Sequence, residues 1–419
     1  MSSRKNTPLH LFEGFGVELE YMIVQKDSLE VSPITDKLIY DEVGAYVSDV
    51  EFGDIAWSNE LVLHVVELKT NGPVQKLADL QWKMLEHVRK INQMLEKHNA
   101  MLMPTGAHPL MNPDTDTKLW PHEYNAIYEA YNQIFDCRGH GWANLQSTHL
   151  NLPFANDEEF EKLHAAIRLL LPIIPAISAS SPILDGKISG FDDTRVEVYR
   201  HNQERIPSIA GKIIPERAFS KEEYEEKILK PMYADIAPYD KEGVLQDEFL
   251  NSRGAIARFQ RYAIEIRLID IQESPVADMA VLQAIVAVLQ ALVSERWVKL
   301  GELKKWDEEK LSCILSDVIK NGQQTVIKDF TFLSVFGYNC SENCTVGELW
   351  KYLVKETMVL DDQPEIAYAL HVILSRGNLS RRILEAVGEN PSIEQIKKVY
   401  SQLTVCLHNG GVFLSDKLC

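Results

Sequence analysis

An alternating segment near the start of the chain, GFGVELEYMIV at 14–24, limits what this region can fold into. Apolar residues occupy every second position from 17 to 23, which predicts a β-strand with one apolar face. Glu18 and Glu20 share the other face, with Cα atoms about 6.5 Å apart. This spacing suits neighbouring divalent cations, which lie about 4 Å apart in two-metal sites. The alternative interpretation is that the two acids are simply the solvated face of the strand.

A second strand-like segment, LVLHVVELK at 61–69, is almost continuously apolar. Such a run predicts a strand that is covered on both faces, and Glu67 interrupts it. A buried carboxylate is unfavourable unless it is paired with a cation or coordinates a metal. Glu67 is therefore a candidate ligand, and Glu60 is a further acid just before the run.

Two later segments are also typical of strands. YAIEIRLID at 262–270 places Glu265 and Arg267 on one face and apolar residues on the other. NLQSTHLNLPF at 144–154 carries His149. A lone histidine is more often an ordinary hydrogen-bonded residue than a ligand, so His149 matters only together with the acids. From the residues alone, the pattern indicates a carboxylate-rich site for Mg²⁺ or Mn²⁺.

The remaining pattern gives the organisation of the chain. It predicts a helix over 74–98 with Pro73 in its first turn, followed by a short strand within 100–109. It also predicts a helix that is capped by Asn156 and is kinked or ended by Pro172 and Pro175. An irregular Arg-rich region over 181–260 follows, with helices from about 276 onward. We therefore expect an α+β enzyme with a catalytic core at 1–275 and a mainly helical C-terminal region at 276–419 packed on it.

Composition excludes some classes of function. The chain has 43 Lys and Arg against 61 Asp and Glu, a net charge of −18, so nucleic acid is not an expected partner. We find no secretory signal, and the apolar run at 280–293 is interpreted as a buried helix, so we expect a cytoplasmic protein without a membrane partner. Cys340 and Cys344 lack a histidine at zinc-finger spacing and are interpreted as reduced thiols.

Common catalytic motifs are missing from the sequence. It contains no Walker A sequence, no G-x-G-x-x-G after a strand, no H-E-x-x-H and no G-x-S-x-G. An ordered set of six segments is present instead: GVELEYMIV, VVELKTNGP, MPTGAHP, STHLNLPF, SASSPILDG and AIEIRLID. Together they resemble the glutamate–cysteine ligase family, closest to its bacterial carboxylate–amine ligase branch. The resemblance runs from about Gly14 to Asp270, and a weaker resemblance is found in ILSRGNLSRR at 373–382.

The resemblance implies a fold of the glutamine synthetase and guanidino-kinase type, which is a curved, largely antiparallel sheet with helices on its outer face. It implies ATP and Mg²⁺ (or Mn²⁺) as cofactors, and small amino acids and amines as substrates. The implied metal ligands are Glu18, Glu20, Glu60, Glu67, His149 and Glu265. Arg267 matches an arginine that meets the transferred phosphate and acts with Glu265, and Arg195 and Arg253 are the implied substrate-binding arginines.

The implied reaction forms an amide through an acyl phosphate, with γ-glutamyl transfer to cysteine or another amine. The chain departs from the branch pattern around His149, where it has STHLNLPF instead of an HVHVG-like sequence, and in FDDTRVEVYRHNQE at 191–204. The second departure leaves the identity of the substrates open. Two other functions stay open as well, namely phosphoryl transfer to a guanidino group on the same fold and a non-catalytic metal-binding relative. A homo-oligomer also stays open.

Overall fold

The computed structural model describes residues 8–339 and 343–416, so Cys340 lies outside the described residues. Within them, the largest sheet has eight strands in the order β2-β3-β4-β1-β6-β10-β9, and β5 pairs with β1. Every pair is antiparallel, which confirms the expected largely antiparallel sheet. The strands, including two small hairpins (β7–β8 and β11–β12), are β1 Gly16–Gln25, β2 Asp49–Phe52, β3 Ile55–Asn59, β4 Val65–Thr70, β5 Ala100–Met103, β6 Ser147–Pro153, β7 Ile183–Leu184, β8 Lys187–Ile188, β9 Ala255–Arg258, β10 Ala263–Asp270, β11 Val326–Ile327 and β12 Cys344–Thr345.

Helices fill most of the remaining chain and dominate its last third. The α-helices are α1 Thr35–Val43, α2 Leu80–Leu95, α3 Pro113–Asp116, α4 Asn125–Phe135, α5 His140–Ala143, α6 Asp157–Leu170, α7 Pro175–Ser178, α8 Thr194–Tyr199, α9 Lys221–Tyr224, α10 Lys230–Ile236, α11 Pro275–Val293, α12 Leu300–Leu303, α13 Glu308–Asn321, α14 Phe330–Val335, α15 Val346–Thr357, α16 Pro364–Arg376, α17 Leu379–Val387 and α18 Ile393–Asn409. Short 3₁₀ turns occur at Leu77–Asp79, Glu96–His98, Leu171–Ile173, Glu248–Leu250, Phe259–Arg261 and Gly322–Gln324, and a π turn at Glu225–Leu229 joins α9 to α10.

Strand β1 lies at the centre of the sheet, and its alternation is realised as predicted. The side chains of Val17, Leu19, Tyr21 and Ile23 are fully buried in one apolar core with residues of α2, α6 and α11. The acids at 18 and 20 consequently face the other side of the sheet. Burial of the apolar row fixes the register of β1, because a slip by one residue would drive the acids into the core.

Helix α11, which contains the apolar run predicted to be buried, passes through this core. By length and composition it could span a membrane, but most of it is buried inside the fold. Helix α6 begins as predicted, since the Asn156 side chain accepts a hydrogen bond from Glu159 N. The same helix ends at Leu170, just before Pro172, as the prolines require.

Three local predictions differ from the structure. The helix expected from 74 begins only at Leu77, because Val74 instead exchanges two backbone hydrogen bonds with Phe15 and holds Pro73 in an extended segment. The strand expected over 61–69 begins at Val65. The hairpin of β2 and β3 was not predicted, because its strands are short and only one of them is fully buried.

The C-terminal helices extend the fold past one end of the sheet. Residues of α17 and α18, including Leu379 and Tyr400, share a second apolar cluster with Met22 of β1 and Met103 of β5. The C-terminal region therefore packs on the strands that carry the acids, while the boundary near residue 275 stays a prediction.

Candidate active site

The face of the sheet that carries the predicted acids is here called the carboxylate face. Across it, Glu20 of β1 stands opposite Glu67 of β4, and Glu18 stands opposite His149 of β6. Directly paired residues in an antiparallel sheet have their side chains on the same face. Glu265 of β10 stands opposite Asn151, two residues from His149, and therefore joins them. The sheet thus brings acids from three strands and a histidine from a fourth onto one surface.

Glu18, His149 and Glu265 form the tightest group on this face. His149 Nδ1 lies 2.8 Å from Glu18 Oε2 and 3.8 Å from Glu265 Oε1. One ligand atom from each residue lies within 4.8 Å of the other two. Opposite ligands of an octahedral Mg²⁺ lie about 4.2 Å apart, since each bond is about 2.1 Å long. The three side chains therefore fit a single divalent cation.

Glu20, Glu67 and Glu60 form a second group beside the first. Glu20 Oε2 accepts hydrogen bonds from Ser147 N at 2.6 Å and from Ser147 Oγ at 2.8 Å. Glu67 accepts a short hydrogen bond from the Ser58 hydroxyl and lies 3.1 Å from the ammonium of Lys69. Glu60 follows β3 and lines the same cavity.

The crowding of acids perturbs their ionisation. Burial alone would raise the pKa of Glu18, but the hydrogen bond with His149 and the nearby cationic side chains lower this pKa to about 2. Burial would lower the pKa of His149, but the Glu18 hydrogen bond and the surrounding carboxylates raise it to about 9. Without a metal ion, a protonated His149 therefore supplies positive charge to this cluster.

The second group carries an excess of negative charge. Burial and the charge of Glu18 raise the pKa of Glu67 to about 7, against the opposing effect of Lys69. Burial and the charges of Glu20 and Glu67 raise the pKa of Glu60. Such repulsion between buried carboxylates is relieved by protons or by cations, so the donor set fits a divalent ion here as well.

Arginines balance the charge at the other end of this face. Arg267 donates from Nε at 3.1 Å and from one terminal nitrogen at 2.7 Å to Glu265 Oε1. Burial would lower the pKa of Arg267, but the charge of Glu265 raises it. Arg258 donates to the other Glu265 oxygen at 3.1 Å. Glu265 is consequently held between two guanidinium groups, and Arg267 stays charged beside the cation ligands.

A β-bulge shapes the end of β10. The pairing of β10 with β6 steps from Ile266–Leu150 to Ile269–Thr148, so Arg267 and Leu268 stand opposite His149 alone. This extra residue brings Asp270 to the carboxylate face, opposite Ser147. Asp270 is fully buried and accepts a short hydrogen bond from the guanidinium of Arg195.

Arg195 lies at the start of α8, on a segment that several elements hold in place. Asp193 caps the helix by accepting from Val196 N at 2.8 Å. The preceding residue, Asp192, is 2% exposed and accepts from Arg381 Nε of α17 at 2.8 Å. Arg195 lines the cavity and its terminal nitrogens lie 3.5 Å from the backbone oxygen of Arg267.

Arg253 is not brought to the cavity. Its guanidinium donates to both oxygens of Glu216, at 2.6 and 2.7 Å, and to Ile209 O and Asn251 Oδ1. The side chain is 2% exposed and does not line the cavity. The donors of Arg253 are therefore occupied by the protein, and the substrate-binding role expected for it stays a prediction.

The acids line a cavity of about 1060 Å³. The cavity contains each of the predicted metal ligands together with Arg195 and Arg267. Its helical lining includes an aromatic wall, which we define as Tyr124, Tyr128, Tyr131, Trp142 and Tyr199. Charged groups from the sheet and aromatic rings from helices thus border one space, which is large enough for a nucleotide and a small substrate.

Some residues at the site were not predicted. Ser147 and Asn151 lie two residues on either side of His149, and strand periodicity could have placed them on its face. Lys69 lies two residues after Glu67 and could have been found in the same way. Asp270 could not have been found, because it reaches the carboxylate face only through the bulge in β10.

Comparison with known proteins identifies the family of the chain. A family model described as glutamate–cysteine ligase family 2 matches residues 14–326. An uncharacterized protein of Archaeoglobus fulgidus is 32% identical over 403 residues, which is 95% of this chain and 100% of the relative. A protein of a Nocardioides species with the provisional name glutamate–cysteine ligase 2-1 is 23% identical over 298 residues, or 71% of this chain and 72% of the relative.

Solved structures show the same fold at low identity. The glutamate–cysteine ligase of Francisella tularensis, crystallised in complex with AMP, matches with a TM-score of 0.59 at 12% identity, covering 96% of this chain and 90% of that one. A bifunctional glutathione synthetase of Pasteurella multocida matches with a TM-score of 0.55 at 14% identity, covering 95% of this chain and 52% of that one. Because the family model matches residues 14–326, which is most of the chain, the chain belongs to glutamate–cysteine ligase family 2.

Proposed function

We propose that this protein is an ATP-dependent carboxylate–amine ligase, which forms an amide through an acyl-phosphate intermediate. The observation that carries the proposal is the convergence of Glu18, His149 and Glu265 into one cluster next to Arg267. Such a cluster suits a metal–nucleotide complex, and the adjacent guanidinium suits the phosphoryl group in transfer. Membership of glutamate–cysteine ligase family 2 supports the same reaction class.

Two groups of residues would hold Mg²⁺ or Mn²⁺. The first is the cluster of Glu18, His149 and Glu265, and the second is Glu20 and Glu67 together with Glu60. Bound divalent cations would neutralise phosphate charge and orient the reactants. Hydrogen bonds from Ser147 to Glu20 keep that carboxylate in place before any ligand binds.

The proposed chemistry has two steps. In the first, a carboxylate oxygen of the acid bonds to the γ-phosphorus of ATP, and the bond from that phosphorus to ADP breaks. In the second, the amine nitrogen bonds to the acyl carbon, the carbon–oxygen bond to phosphate breaks, and the amine gives up a proton. Arg267 stabilises the charge that develops on the transferred group. Neither step requires a nucleophile from the protein.

Substrate identity is the finer part of the proposal. Glutamate as the acid and cysteine or another amine as the acceptor follow the names of the relatives. Arg195, which lines the cavity beside Arg267, is suited to a substrate carboxylate. The use of ATP and free amino acids fits a cytoplasmic location.

The direct test is a screen of ADP release against a panel of amino acids and amines, with mass spectrometry of the product and a measurement of free phosphate. A ligase yields an amide, ADP and phosphate. Phosphoryl transfer to a guanidino group would yield a phosphoguanidine and ADP without free phosphate, which would contradict the proposal. Absence of ADP release, together with absence of ATP binding in the presence of Mg²⁺, would indicate a non-catalytic relative.

A substitution tests the site itself. Glu20→Gln keeps an oxygen that can accept from Ser147 N but removes the charge, so we expect amine-dependent ADP formation to be lost while the protein stays folded. Glu158→Gln on the exposed start of α6 is the matched control and should keep wild-type turnover. Near-wild-type turnover in Glu20→Gln, with an unchanged thermal unfolding temperature as evidence of folding, would remove Glu20 from the site.

A further inference from the structure

The part of the cavity lining that the sheet contributes is charged, whereas the part between residues 124 and 145 is not. The sheet contributes acids, a lysine and arginines, whereas the lining residues between 124 and 145 are Tyr124, Ile127, Tyr128, Tyr131, Gly141, Trp142 and Leu145. None of these seven carries a charge. These seven residues therefore offer no ion-pairing partner of their own, and a second ammonium or carboxylate that lay against them would lose hydration without compensation from them.

Two residues of the aromatic wall, Tyr131 and Trp142, are held by ring packing. The rings of Tyr131 and Trp142 lie 5.3 Å apart, and Trp142 stacks on Phe135 at 5.5 Å with an angle of 27° between the planes. Arg205 ties α4 to the segment after α8 by donating to Ile134 O at 2.6 Å. Side chains packed in this way hold their rotamers, so the surface exists before a ligand binds.

The aromatic wall also reaches the proposed reacting centre. Tyr131 and Tyr199 line the same cavity as Arg267. Gln203, which is 2% exposed, lines the cavity and donates from Nε2 to Ser252 Oγ at 2.9 Å. The Gln203 carbonyl oxygen has no hydrogen-bond partner among residues 8–339 and 343–416. A buried acceptor without a partner is unfavourable, and an N–H group of a ligand would satisfy it.

We infer that the amine substrate has an apolar or aromatic body, which the aromatic wall binds while its amino group reaches the acyl carbon beside Arg267. This inference rests on the proposed ligase function. Only the neutral form of the amine is a nucleophile, so the amine reacts in that form. The nitrogen bonds to the acyl carbon, the bond from that carbon to the phosphate oxygen breaks, and the N–H proton leaves with the released phosphate.

The test compares three amines that differ in the group attached to the amino nitrogen: phenethylamine, propylamine and putrescine. Each is supplied with MgATP and a panel of the twenty amino acids as the acid, and ADP release is measured. Burial of the phenyl group should raise kcat/KM for phenethylamine about tenfold to a hundredfold over propylamine. Putrescine, with its second ammonium, should be the poorest of the three. Isothermal titration of phenethylamine and propylamine into the protein with MgADP measures binding apart from turnover.

Variants of the wall make the test specific. In Tyr131→Leu, the advantage of phenethylamine over propylamine, measured as the ratio of their kcat/KM values, should fall about tenfold. Tyr131→Phe keeps the ring and should keep the advantage, as should Trp82→Leu, which removes an aromatic ring that is 48% exposed on α2. Thermal unfolding of each variant checks that the fold is retained.

The outcomes separate the inference from the function on which it rests. ADP release that is equal or faster with propylamine or putrescine overturns the apolar amine and leaves the ligase reaction standing. An advantage of phenethylamine that survives in Tyr131→Leu removes the aromatic wall as its cause and also overturns the inference. Absence of ADP release with every acid and amine, whether or not phenethylamine binds, overturns the ligase reaction and the role of the amine with it.

Discussion

Metal binding at the carboxylate face should release a defined number of protons. Cations that bind the two groups must displace the proton on His149 in the first group, whose pKa is raised to about 9, and the proton on Glu67 in the second group, whose pKa is raised to about 7. At pH 6.5 these groups together carry about 1.8 protons, and at pH 7.5 about 1.2. Glu60, whose pKa is also raised, can only add to these numbers. The product of the apparent binding constants of the two groups should therefore rise with pH, by about tenfold per unit between pH 7 and 9.

The assay is isothermal titration of Mn²⁺ into the protein in buffers of different ionisation enthalpy, which counts released protons directly. His149→Gln should lower the count by about one at both pH values, because the missing imidazole carries its proton at each. Glu67→Gln should lower it by about 0.8 at pH 6.5 but only about 0.2 at pH 7.5. Mn²⁺ binding without proton release, or with equal release in His149→Gln, would refute the assignment of His149 as a ligand.

Two further predictions concern residues outside the carboxylate face. Arg381→Ala removes the charged partner of the buried Asp192, which lies three residues before Arg195 and keeps a hydrogen bond from Asn378. We expect KM for the acid substrate to rise about three- to tenfold, with KM for ATP changed less than twofold. Equal changes in both KM values would contradict this positioning role. His164 stacks on Phe160, and burial lowers its pKa to about 3. Since the unfolded state binds the proton below about pH 6.5 and the folded state does not, stability should fall as pH drops, by about 3 kcal/mol at pH 4.5. In His164→Phe, this part of the difference between the free energies of unfolding measured in urea at pH 7.5 and pH 4.5 should disappear. An unchanged pH dependence of stability in the variant would contradict the role of His164.

Strand periodicity was enough to predict much of the carboxylate face. The spacing of Glu18 and Glu20 placed them on one side of β1, because burial of the intervening apolar residues leaves no other register. The interruption of an apolar run identified Glu67 as a buried acid, and it is 6% exposed. These inferences depend on neighbours one or two residues away, and such local information is present in the sequence.

The features that sequence reasoning missed depend on contacts between distant segments. Arg253 is withdrawn from the cavity by Glu216, 37 residues earlier, and nothing near either residue signals that pair. Asp270 meets Arg195 because of a one-residue bulge in β10, and its surrounding sequence reads as a regular strand. The aromatic wall combines α4, α5 and α8, whose rings come together only in the folded chain.

The division of the cavity between sheet and helices has a consequence for how this enzyme could be altered. Strands hold the side chains proposed for phosphoryl transfer, and their register ties each of them to its neighbours. Helix α4 and the segments beside it supply Tyr124, Tyr128 and Tyr131 without belonging to that hydrogen-bonded array. The proposed function therefore predicts that amine preference can be changed by repacking one helical surface, while the side chains proposed for phosphoryl transfer stay in place.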